Sequence, residues 1–173
     1  QTGPDAPVYY RTGDTLNVIS DSGLTVRQAP DAKAAKLAMV PYAGSVIAGD
    51  ERNRVPFSVG GVSGYWIPVA CKGKSGYAFD GFLSVLPAPK ACTNCEYDFG
   101  QVLEQYLDKN LKVTGAPSEK REGMINHIEK RYSNGFVLKK NVADEGVPEF
   151  SMELEMPRVR TAEAFLLCRQ MQV

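Results

Sequence analysis

One histidine and one tryptophan serve the whole chain of 173 residues, and its formal net charge is zero. The single histidine, His127, would have to carry any Ser-His or Cys-His mechanism alone. Its setting between Asn126 and Ile128, on the flank of an apolar stripe, reads instead as a half-exposed structural residue. Twenty basic residues are matched by twenty acidic ones, and the match is local: 8 against 7 before Pro87, 12 against 13 from there on. Without a basic field to attract phosphates, nucleic acid is not an expected partner. No apolar run approaches the roughly 18 to 20 residues that cross a bilayer as a helix. The Gly-Gly step in Val59-Gly60-Gly61-Val62 lacks the lysine and the spacing of a phosphate loop. Only one CxxC is present, Cys92-Thr93-Asn94-Cys95, with Cys71 and Cys168 scattered. That is half of a zinc signature, so no metal and no cofactor are expected.

What the chain does have begins with strand signals at short intervals. They occur at Thr15–Ile19, Leu24–Arg27, Lys36–Val40 and Ser45–Gly49, with apolar residues alternating and turn residues between them. Residues 1–14 carry Gly, Pro and Asp and read as an arm with a short strand at Val8-Tyr9-Tyr10. Pro68 within an aromatic strand marks an edge or irregular position. At Pro87-Ala88-Pro89-Lys90 the composition changes, which places a linker at 87–91.

Beyond the linker the apolar period lengthens. Phe99, Val102, Leu103, Tyr106 and Leu107 share one helical face. The spacing of Met124, Ile125, Ile128 and Tyr132 predicts a second helix from Ser118 to Ser133, with Ser118 as N-cap. Phe136-Val137-Leu138 reads as a strand. So does Phe150–Met156, where apolar residues alternate with Ser151, Glu153 and Glu155. A last helix follows Thr161. The expected fold class is therefore mainly β plus α+β. A small β-barrel over 15–86 precedes a helix–helix–strand–strand–helix domain over 92–173.

Residues 15–86 resemble a bacterial SH3-like domain. The resemblance rests on Leu24-Thr25-Val26-Arg27-Gln28-Ala29-Pro30, on Val40-Pro41-Tyr42-Ala43-Gly44 and on Tyr65-Trp66-Ile67-Pro68-Val69. Gly73-Lys74-Ser75-Gly76-Tyr77 and the closing Phe79-Asp80-Gly81-Phe82-Leu83 complete it. The stretch Asp50–Val62 is longer than the family's usual loop. The resemblance implies an SH3-like barrel that binds rather than catalyses, with a cell-wall (peptidoglycan) peptide or a protein as partner. If Ile67 and Val69 face the core, Trp66 faces outward. The aromatic site expected from this is Tyr42, Tyr65, Trp66, Phe79 and Phe82.

Gln1 and the small polar residues after it fit the start left by signal-peptide removal, or the position following a lipidated cysteine. An even cysteine count suits an oxidising compartment, so Cys71, Cys92, Cys95 and Cys168 are disulfide candidates with the pairing open. A periplasmic or extracellular envelope protein is the expectation. The rival class is a cell-wall-modifying enzyme or a thiol oxidoreductase built on the second half. The CxxC follows a Pro-rich linker and not a strand of a βαβ unit, which argues against it. Glu149, Glu153 and Glu155 read as a solvated strand face, not as an opposed carboxylate pair.

Overall fold

The computed structural model describes residues 10–90, 98–144 and 150–171. It is mostly β, with two α-helices among the described residues. The chain divides into two compact units. One holds the described residues up to 90 together with 158–171, and the other holds those from 98 to 157.

In the first unit, alternation makes the strands. β1 (Thr15–Val18), β2 (Leu24–Arg27) and β4 (Ser45–Ala48) bury every second residue. β3 (Lys36–Val40), β5 (Val55–Val59), β6 (Val62–Cys71), β7 (Lys74–Phe79) and β8 (Leu83–Ser84) complete an antiparallel sheet. Its order is β3-β2-β7-β6-β4-β1-β8, with β5 added beside β6. The two ends do not meet, so the sheet is open and the expected closure into a barrel is not present. Leu16, Val18, Val26, Val46, Ile67, Val69, Ala78 and Leu83 form the centre of its core.

β6 has ten residues and changes partner along its length. Val62–Trp66 pairs with β5, and Val69–Ala70 with β4. Pro68 lies between these ladders, where its missing N–H costs nothing. Its carbonyl instead accepts from Gly49 N at 2.8 Å. The hairpin joining β5 to β6 turns on Gly60 and Gly61, both at positive φ (57° and 79°), as a two-residue type I′ turn requires.

The final helix, α2 (Thr161–Met171), belongs to the first unit, not to the second half where the sequence reading put it. It buries Leu166, Leu167 and Met171. Arg160, just before it, donates Nη2 to the carbonyls of Asp80 (2.7 Å) and Leu83 (3.2 Å), at the 3₁₀ turn Asp80–Phe82.

The second unit opens with α1 (Phe99–Asn110), started by a capping box in which Asp98 accepts from Gln101 N at 2.9 Å. Leu103 and Leu107 are its buried face. An antiparallel sheet follows in the order β12-β11-β10-β9, formed by β9 (Ser118–Glu122), β10 (Ile125–Arg131), β11 (Val137–Ala143) and β12 (Phe150–Glu155). The helix expected over Ser118–Ser133 is thus the β9–β10 hairpin. Gly123, at φ 61°, supplies the first position of its two-residue turn, a place that costs a non-glycine residue dearly. In a helix interior the same glycine would have cost about 1 kcal/mol.

Lys130 Nζ reaches Glu104 (2.9 Å) and Asp108 (2.8 Å), and Lys140 Nζ reaches Glu104 (2.8 Å). Burial opposes the ionisation of Glu104, but the two ammonium groups outweigh it and hold its carboxyl below the usual value.

Candidate functional site

Trp66 is 5 % exposed, so the outward, solvent-facing ring expected at this position is not there. The register explains why. Trp66 pairs with Val55 on one side and Phe79 on the other, while Phe57 pairs with Gly64. The Asp80 carboxylate and the Phe79 ring fill the space beside Gly64, and Phe57 leans onto Trp66, with ring centroids 5.1 Å apart. Phe79 lies edge-on to Phe57 at 5.3 Å and to Phe82 at 5.2 Å, an arrangement that aromatic quadrupoles favour. The tryptophan is covered by a strand hidden in what read as a long loop. Pro56 and the polar flanks of Val55-Pro56-Phe57-Ser58-Val59 had masked its alternation.

These rings form the floor and one wall of a cleft of about 220 Å³. Phe57 and Val59 of β5 form that wall, Trp66, Phe79 and Phe82 the floor, and Leu24, Thr25 and Arg27 of β2 with Ala32 the other wall. Of the five expected residues, Trp66, Phe79 and Phe82 come together here. Tyr42 and Tyr65 do not. Tyr42 donates its hydroxyl to the Pro89 carbonyl, and burial together with the Asp21 charge raises its pKa. Tyr65 lies under the Arg54 guanidinium, 4.6 Å from the ring centroid. Phe57, Val59 and Arg27, with Leu24, Thr25 and Ala32, are cleft residues that sequence reasoning missed.

Behind the cleft floor is a buried polar group. Asp80 accepts from the Tyr10 hydroxyl at 3.0 Å and from Tyr65 N at 2.7 Å, and Arg160 Nη1 lies 3.0 Å from it. Arg160 Nε also lies 3.6 Å from Glu163. Burial pushes the Glu163 carboxyl up, and hydrogen bonding to Ser84 and the Arg160 charge partly offset this. Every member is engaged within the protein, which makes the group a clasp and not an open acid–base pair.

Catalytic alternatives find little geometry. Cys71 is buried and Cys168 half-buried, and both are free thiols. Burial raises the Cys168 pKa, the reverse of an activated thiolate. Cys92 and Cys95, with Glu149, Val8 and Tyr9, lie outside the described residues. His127 is on β10, not mid-helix, with Nδ1 2.7 Å from Asn141 Oδ1. Asn141 Nδ2 donates to Ser151 Oγ at 2.8 Å. An amide therefore stands between the imidazole and the serine, so His127 does not act on that hydroxyl directly. Glu155 pairs with Lys139. Among the described residues, no three of His, Cys, Asp and Glu converge as metal ligands, and no helix is long and apolar enough to cross a membrane.

In comparison with known proteins, no family model matches the chain, and neither a curated protein nor a solved structure is similar to it.

Proposed function

We propose that the chain is a non-catalytic binding protein of the bacterial cell envelope. Its first unit, SH3-like in its strand and turn motifs, takes an extended peptide from the cell wall or from a protein partner. The observation that supports this reading is the cleft in which Phe57, Trp66, Phe79 and Phe82 gather. Its volume of about 220 Å³ falls below the roughly 300–1,000 Å³ of small-molecule pockets. It suits one or two side chains of a longer ligand. β5 pairs only with β6 among the described strands, leaving an edge along which extended backbone can run. The envelope location is carried over from the resemblance of residues 15–86 to bacterial SH3-like domains.

Trp66→Ala is a poor probe, because emptying a buried aromatic site costs about 3–5 kcal/mol and unsettles the fold. Val59, at the lip and 42 % exposed, is the better choice. Wild-type protein is expected to co-sediment with peptidoglycan sacculi, and Val59→Asp to lose that binding by about tenfold or more while melting at the same temperature. Sedimentation of both proteins alike would sink the cleft as the site. Failure of both to sediment would remove the wall peptide and leave the protein partner, tested by peptide selection on the same two proteins.

A further inference from the structure

Arg27 is the one cationic side chain lining the cleft. It sits where the β2–β3 register shifts, between Val26 and Arg27. A break in register of this kind re-aims the side chain beside it. The guanidinium is anchored from one nitrogen, Nη1, which donates to the Ala34 carbonyl at 2.7 Å. Among the described residues no carboxylate lies within ion-pair distance of it; the side chains that share the cleft wall with it are Leu24, Thr25 and Ala32. A half-buried arginine in such company is usually paired with an acid, because its planar fork matches a carboxylate edge to edge. Among the described residues the cleft has the cation and the apolar floor but no anion.

We propose that the cleft selects an extended peptide segment with a bulky apolar side chain on the Trp66–Phe79–Phe82 floor and, two residues along, an Asp or Glu received by Arg27. The spacing follows from extended backbone, in which residues i and i+2 face the same way about 6.6 Å apart. The apolar anchor supplies burial and the ion pair supplies selection, since a charge-assisted bond forms only with the acid. The inference rests on the reading of the cleft as a peptide site.

The test is selection of random dodecapeptides displayed with their C-termini fused, so that only side-chain carboxylates are offered. Wild type, Val59→Asp, Arg27→Gln and Arg27→Lys are panned in parallel, each checked for an unchanged melt. Arg27→Gln keeps a polar, hydrogen-bonding side chain but removes the charge. The expected wild-type pool carries an acid two positions from a bulky apolar residue. That acid preference disappears on Arg27→Gln and is partly kept on Arg27→Lys. For a peptide from the pool, replacing its acid by the amide should weaken binding about tenfold, read by Trp66 fluorescence, and the difference should vanish on Arg27→Gln. A pool that is apolar without acid, or acid-rich on Arg27→Gln as well, overturns the role of Arg27 while the cleft stands. A pool that Val59→Asp enriches equally, or no enriched pool, overturns both.

Discussion

The Tyr10 hydroxyl donates to Asp80 at 3.0 Å inside the first unit, and burial beside that negative charge raises its pKa above the usual 10.0. The folded protein therefore holds the phenol proton more tightly than the unfolded chain does. The stability this contributes is fully present below the ordinary tyrosine pKa and is lost as pH rises through the higher folded value. Melts followed by Trp66 are expected to fall steeply above about pH 10. Tyr10→Phe should cost about 2 kcal/mol at neutral pH, as loss of a bond to a charged acceptor does. It should also flatten the alkaline fall. An alkaline slope unchanged in Tyr10→Phe would show that other groups set it. At this scale the sequence was silent: nothing about Tyr10 or Asp80 in the linear chain announces a contact across 70 positions.

At the scale of elements, α2 is held to the sheet by a buried ion pair and an exposed one, and their worth differs. Arg160 and Asp80 have side chains 19 % and 4 % exposed, Arg169 and Asp21 56 % and 58 %. Arg160→Leu leaves Asp80 and Glu163 without their cation, and an uncompensated buried charge costs about 3–5 kcal/mol. Arg169→Leu should cost less than about 1 kcal/mol, since water already solvates that pair. Urea titration of both variants checks this, and equal losses would refute the clasp. Elements differ just as much in legibility. β1, β2 and β4 were readable because one face is buried, and β12 because exposed residues alternate with half-buried ones. β9 has the sequence Ser-Glu-Lys-Arg-Glu and is exposed throughout, so it leaves no apolar period to read. Ile125, Ile128 and Tyr132 fell by chance at helical spacing.

On the scale of the whole molecule, the first unit is discontinuous: its strands come from the first ninety residues and its helix from the end of the chain. A fragment of residues 1–91 would lack the apolar cover of Leu166, Leu167 and Met171 and the Arg160 clasp. It is expected to melt without a cooperative transition, with Trp66 emission shifted to the red, and to recover both when a peptide spanning 158–173 is added. A fragment that melts like the full chain would show that α2 is an appendage.

The sequence by itself determined the mostly β character, the strand punctuation of the first unit and the charge balance. These follow from local alternation and from turn residues, which act within a few positions. Tertiary structure alone decided that Phe57 covers Trp66, that the sheet stays open, that the last helix returns to the first unit, and that Arg27 enters the cleft. Each depends on which strand lies beside which, and pairing between distant segments is set by burial summed over the whole core, not by any residue's neighbours in the chain.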